Sequence, residues 1–386
     1  MNISNTARGS LLVAAIALAP VGRTEARAQQ FIPDIIISST VPSSNGDLNP
    51  YGVAFVPANF PTGGTIAPGD ILVSNFNNAT TTENPGGVQG TGTTIINLTP
   101  NGVIAAPGTA STFFTSKAIG LTTALGVLQR GFVLVGNVPT DSSGAIQQGS
   151  LQVIDRNGKQ VAAFTNQNPN QNQLNDPWDL TIDDDLDHAT VFVSNVNNNT
   201  TPQKNGTVTR LNLMVSSTGV SLIGTPTVIA TGYTVEPNKA ALVLGPTGLA
   251  LDRTTDTLYV ASTADNAVFA VSNASTRSGP STGTGTGMMI AQNGQLRGPL
   301  ALVLAPNGNL VTSNGDAVNT DPTHPSEIVE LTKNGRFVSQ FNVDAATGGA
   351  FGIGISMVKD NTARLAVVDD NANDIIVIDQ NVMSDQ

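Results

Sequence analysis

Pro246-Thr-Gly-Leu-Ala-Leu251, a short turn, then Leu258-Tyr-Val-Ala-Ser262 is the stretch that decides the fold. Both runs are short, apolar and rich in strand-forming residues, and each is bounded by Gly, Pro, Asn or Asp, which predicts paired strands. The same pair recurs. Its first members are Pro50 to Phe55, Thr123 to Leu128, Pro177 to Ile182, Pro246 to Leu251, Pro299 to Leu304 and Ala350 to Ile355. Its second members are Ile71 to Asn75, Val133 to Asn137, Val191 to Asn195, Leu258 to Ser262, Leu310 to Asn314 and Leu365 to Asp369.

A third run follows in every unit, from Thr94 to Leu98 in the first through Asp374 to Asp379 in the last. A fourth follows in most, as at Lys159 to Phe164 and Arg336 to Phe341. Asn157-Gly158 and Asn334-Gly335 supply hairpin turns between third and fourth runs. No window of helical period competes. Units starting near residues 49, 123, 175, 245, 297 and 348 predict an all-β, six-bladed β-propeller with four antiparallel strands per blade. The sixth unit stops one strand short, and Pro33 to Val41 is a lone strand ahead of the first. Pairing the two closes the ring and removes a free edge. A two-sheet sandwich explains neither the count nor the leftover strand.

Val367-Val-Asp-Asp-Asn-Ala-Asn-Asp-Ile-Ile-Val-Ile-Asp379 resembles the second-to-third-strand signature of NHL repeats. Pro246 to Asp252 with Leu258 to Ser262 resembles the strand pair before it. Units four and six keep the compact form, and the others depart by insertions after the second strand. The resemblance implies a propeller scaffold and no particular activity, because propellers host unrelated functions.

The N-terminus reads as an address label. Arg8 is followed by the apolar Leu11 to Ala19 and by Ala26-Arg27-Ala28, an A-x-A cleavage pattern. Residues 1–28 are therefore expected to be a signal peptide and 29–386 one propeller domain, exported to the periplasm or beyond the cell. No apolar stretch is long enough for an integral membrane helix, which needs roughly 20 residues. Cysteine is absent, which excludes disulfides, thiolate metal sites and cysteine nucleophiles. The chain has 17 Lys+Arg against 28 Asp+Glu; removing the label leaves 14 against 27, a net −13. Such a surface repels nucleic acid and anionic lipid. A monomer is expected.

Along the innermost strands one face is small, reading Gly52, Gly126, Asp179, Gly248, Ala301 and Gly352, with Ala54, Leu128, Thr181, Ala250, Val303 and Gly354 two residues on. The other face is large throughout, so neighbouring blades interlock near the axis. Asp179 breaks the small column directly after Trp178, the only tryptophan. Its carboxylate either binds a cation or orients a ligand near the axis, or it accepts backbone N–H bonds from the next blade.

Up-and-down strands put the second-to-third-strand loops on the face that carries the links between blades. Four units lengthen that loop, at Asn75 to Gly92, Asn137 to Gly149, Asn195 to Asn205 and Asn314 to Ser326. Long loops on a rigid scaffold are where binding resides, although insertions are also simply tolerated there. They are rich in Asn, Thr and Gly and poor in catalytic groups. Asp183, Asp185 and Asp187 form D-x-D-x-D, read either as calcium ligands or as a solvated acidic turn. His188 and His324 are expected on opposite faces, and no serine elbow is present.

The reading that follows is a non-catalytic binding or scaffold module for protein, peptide or glycan, acting through the long-loop face. Its candidate residues are Asp179, Trp178, Asn49, Asn175, Asn75, Asn195 and Asn314. The alternative is a divalent-cation-dependent hydrolase, lactonase or lyase resembling the gluconolactonase-like propellers. That resemblance implies a central Ca2+ held by acids and amides of several blades, here Asp179 with Asn49 and Asn175 as neighbours.

Overall fold

The computed structural model describes residues 34–99, 104–166, 173–197, 201–315, 321–359 and 361–382. The expected leader and parts of two long loops (198–200 and 316–320) lie outside the described residues. Six antiparallel sheets are arranged as a six-bladed β-propeller. The inner strands are Leu48–Phe55, Leu121–Leu128, Pro177–Asp184, Pro246–Asp252, Pro299–Leu304 and Ala350–Lys359. Five sheets follow chain order from inside outward. The sixth is completed by Ile35–Ser39, which pairs antiparallel with Asp374–Asn381 from Ile35↔Ile378 to Ser39↔Asp374. The predicted closure is therefore the observed one.

Every inner strand breaks register with its neighbour near its start, between Pro50 and Val53, Leu121 and Leu125, Pro177 and Asp179, Pro246 and Leu249, Pro299 and Leu302, and Ala350 and Ile353. Such bulges leave backbone groups unpaired. Serines of the second strands take them up. Ser74 Oγ accepts from Gly52 N at 2.9 Å and donates to Thr122 O of the next blade at 2.7 Å. Ser194 does the same between Asp179 N and Thr247 O, and Ser313 between Ala301 N and Phe351 O. Blades two and four have Gly136 and Ala261 at that position, and hydroxyls of their inner strands reach across instead: Thr122 Oγ1 to Pro177 O and Thr247 Oγ1 to Pro299 O. The sixth blade has Val368 there, without a hydroxyl. Its seam to blade one is held by Asn373, whose backbone O accepts from Thr40 N and whose Oδ1 accepts from Asn49 N.

The small column is a packing requirement. A Cβ on Gly352 would lie 1.8 Å from Tyr51 O, and one on Gly248 2.3 Å from Leu302 N. One assignment needs correction. Leu125↔Val135 aligns with Val53↔Val73, so Ala124 occupies the column in blade two, and Gly126, not Leu128, sits two residues on. The bulge from Leu121 to Leu125 carries an extra residue and moves the register.

Blade three is elaborated at both ends. Gln203–Val215 and Thr227–Asn238 outgrow their counterparts, and Leu242–Leu244 folds back against Glu236–Asn238 on the loop face.

Candidate functional site

The residue just before the small column is Tyr51, Thr123, Trp178, Thr247, Leu300 or Phe351, and all six are buried. Tyr51, Trp178, Leu300 and Phe351 come from blades one, three, five and six yet belong to one apolar cluster. Only a meeting on the axis allows that. Tyr51 stacks on Phe76 with ring centroids 4.4 Å apart and packs on Phe351 at 4.7 Å, while Trp178 stands edge-on to both Phe76 and Tyr51. These rings close the channel at its loop-face end. Beneath them the inner strands line a cavity of about 230 Å³.

Asp179 lies in that lining, under the rings, and is 8% exposed. Its carboxyl accepts from Leu180 N at 2.7 Å and from the backbone of Leu249 in blade four. Burial pushes it well above the usual carboxylate range. The structure thus gives Asp179 the backbone partners of the next blade. Trp178 is part of the plug. Asn175 donates to Asn197 Oδ1 at 2.8 Å and Asn49 leans on Asn373, so neither shares a site with Asp179. Four residues of extended chain, roughly 13 Å, separate Asn175 from Asp179.

Asn75, Asn195 and Asn314 are fully buried. They tie the incoming link to the end of the second strand: Asn75 Nδ2 donates to Thr40 O, Asn195 Oδ1 accepts from Asn175 N, and Asn314 Nδ2 donates to Gln295 O. These amides staple blades and present nothing at the surface. On the opposite face, Asp183 and Asp187 of the D-x-D-x-D run, and Asp184 between them, are likewise engaged. Asp183 pairs with Arg253 at 2.9 Å, Asp187 pairs with Arg130, and Asp184 Oδ2 accepts from Gln129 N at 2.6 Å. Each bond latches blade three to a neighbour. Among the described residues no three acidic or histidine side chains gather as a cation site. The acids and amides nominated for a central Ca2+ therefore do not fit one. His188 opens a second strand on the turn face, whereas His324 sits in the loop of blade five against Asp321.

The residue that follows each staple position forms a second axial layer. Val138, Val196, Thr263, Gly315 and Asp370 each donate their N–H to the backbone O just ahead of their own inner strand, at 2.8 to 3.1 Å. Phe76 is the first-blade member. Blades one to three fill this layer with fully buried Phe76, Val138 and Val196. Blade six places Asp370 there, half-buried. Burial, with Asp369 beside it, raises its carboxyl to about 7, and burial raises Asp369 to about 6. The Tyr51 hydroxyl lies beside both Asp370 and the Asn49 amide and is itself raised by burial. Sequence reasoning missed Asp370. Extending the aligned second strands by one residue past the staple would have exposed it.

Three loops cover the apolar side of this layer. Thr140 of blade two bonds to Gly90 O and Gln89 O of blade one, and Gln89 Nε2 donates to Ala240 O of blade three at 2.7 Å. Within the first loop, Asn77 Nδ2 donates to Gly86 O and Val88 N donates to Asn78 Oδ1. Val235 and Val243 of the blade-three hairpin pack into the axial cluster. The three insertions form one tied platform, and residues 80–86 on it are exposed.

No family model matches the chain, and no curated protein matches it. Solved structures share the fold. A gluconolactonase from Xanthomonas campestris is 12% identical with a TM-score of 0.46, over 86% of this chain and 87% of that one. A calcium-binding regucalcin from Agrobacterium tumefaciens is 13% identical with a TM-score of 0.47, over 90% and 95%. A putative oxidoreductase (glucose dehydrogenase) from Thermus thermophilus is 11% identical with a TM-score of 0.49, over 90% and 100%. At these identities the likeness is one of fold.

Proposed function

We propose that this protein is an exported, NHL-like propeller that binds a protein, peptide or glycan through its loop face. One observation carries the reading: the insertions of blades one, two and three are tied to one another into a single platform. Loops held in place present their Asn, Thr and backbone groups with little ordering entropy left to lose on binding. Binding to peptide and glycan arrays tests it. A variant with residues 79–90 replaced by a short turn, and Gln89→Ala as the milder change, should lose the array signal while melting within a few degrees of the parent. Undiminished array binding by both variants overturns the reading.

A second reading is a hydrolase of the lactonase kind working at the same face. Asp370 favours it, because a half-buried carboxyl near pKa 7 suits general-base work at neutral pH. The plugged axis does not fit the central cation of that reading, so no step is routed through a metal. Turnover of a lactone and ester panel, rising through pH 7 and lost in Asp370→Asn, is its expected signature. No turnover across the panel leaves the binding reading alone.

A further inference from the structure

We propose that a cavity at the loop-face edge of blade two binds the free carboxyl terminus of a peptide, with Lys117 reading the carboxylate. The inference rests on the loop-face binding reading and names the part of the ligand that is recognised.

The first argument is the shape of the place. The link from blade one runs past the end of the blade-two sheet, and the two line a cavity of about 430 Å³. Small-ligand pockets span roughly 300–1,000 Å³. Lys117, Ala118 and Ile119 of the link form one side, and Asn137, Ser150 and Thr165 the other. Ser150 lies directly opposite both Asn137 and Thr165 in the strand ladders, so the three side chains share one face in a row. Asn137 Nδ2 donates to Ile119 O at 2.9 Å, which fixes the link against that row. Lys117 is exposed and makes no ion pair or hydrogen bond with the described residues. By contrast, Arg297 in the link to blade five is engaged with Asp321 at 3.5 Å. Gln148 at the rim is exposed as well, so a ligand reaches the cavity from solvent. Asp176, which accepts from Gly149 N behind the wall, is fully buried and does not line the cavity.

The second argument is independent of the lysine. The side-chain amide oxygens along the row are consumed, and the nitrogens are not. Asn137 Oδ1 accepts from Ser150 N at 3.0 Å and from Ser150 Oγ at 2.6 Å, while its Nδ2 donates once, to Ile119 O. Gln152, two residues further along the same face, is fully buried. Its Oε1 accepts from Ser116 Oγ at 2.7 Å, and its Nε2 has no partner. A corner with donors to spare suits an acceptor-only group, and an ionised carboxylate is one. Its bond to the ammonium of Lys117 is charge-assisted and so of the stronger kind.

The apolar part of the lining selects the carrier of that carboxylate. Ala118, Ile119 and Pro139 are half-buried beside the lysine. A terminal residue holds its carboxylate and its side chain on one carbon, so it meets both at once. A sugar acid would turn hydroxyls toward the apolar part. One free cation matches one negative charge, and the acidic surface repels longer anionic runs.

Calorimetric titration of the full chain with Nα-acetyl-alanyl-alanyl-leucine, and separately with its C-terminal amide, tests the site. The free acid should bind, and the amide at least tenfold more weakly. Lys117→Gln should weaken the free acid at least tenfold and leave the amide unchanged. The peptide ending in glycine should bind several-fold more weakly than the one ending in leucine. No binding of the free acid, equal binding of the amide or of the glycine-ended peptide, or an unchanged Lys117→Gln variant overturns the site. So does binding of galacturonate, or of Nα-acetyl-glutamic acid α-amide, as tight as that of the free acid. An array signal that needs the 79–90 loop but survives Lys117→Gln retires this site and leaves the loop-face reading standing. Free-acid binding that persists when residues 79–90 are replaced, without any array signal, supports the site and retires the platform.

Discussion

At the scale of single residues, the carboxyls that matter are those the fold has desolvated. Asp176 is fully buried and directly precedes Pro177. It accepts from Gly149 N at 2.8 Å through Oδ1, and its Oδ2 has no partner. Burial raises it from 3.8 to about 6. A raised acid binds its proton more tightly in the folded state, so it costs nothing below about pH 4. Its penalty grows between pH 4 and 6 and persists above. By the linkage of 1.36 kcal/mol per pKa unit, the penalty at pH 7 is on the order of 2–3 kcal/mol. Asp176→Asn keeps the acceptor for Gly149 and suits the positive φ of 64°. It should therefore raise stability at pH 7 by up to that amount and leave stability at pH 4 almost unchanged. Urea unfolding at the two pH values checks this. An equal gain at both would mean that ionisation is not the cause.

At the scale of strands and blades, the hydroxyl stitches explain how six sheets hold together without a disulfide. Ser74, Ser194 and Ser313 each satisfy a bulged N–H and a carbonyl of the next blade. Replacing any one by Ala strands both groups in the interior, at about 1–3 kcal/mol. The three lie in different blade interfaces, so the losses should add in the double variants. Denaturant midpoints measured for the singles and pairs test both statements. Strong non-additivity would mean that the stitches act as one coupled ring. Strand periodicity and the vacant place in blade six were legible in the sequence, because a two-residue period and a leftover strand are properties of the chain alone. Blade two's register was not, because the bulge before Leu125 inserts a residue that no turn signal marks. The proposed site is legible in the sequence only as a face. Residue type flagged Asn75, Asn195 and Asn314, but the partners that consume their amides are brought together by the fold. Asp179 stood out in its column for the same reason, and the structure turns its carboxyl toward backbone donors. Asp370 hides in an Asp-Asp-Asn turn, and only its place in the second axial layer distinguishes it from other turn acids.

At the scale of the whole molecule, the two faces of the disc differ in kind. The turn face is occupied by interblade latches, in which Asp183, Asp187 and Asp252 meet Arg253, Arg130 and Lys333. The loop face carries the tied platform over blades one to three and the acidic corner around Asp370 beside it. A disc with one committed face and one equipped face is proposed to bind from the equipped side. Amide hydrogen exchange with and without the tightest ligand from the arrays tests that division most directly. Protection is predicted in residues 78–92, 138–149 and 236–244 and in the 369–374 turn, with the 183–188 turn unchanged. Protection confined to the 183–188 and 252–256 turns would contradict the account.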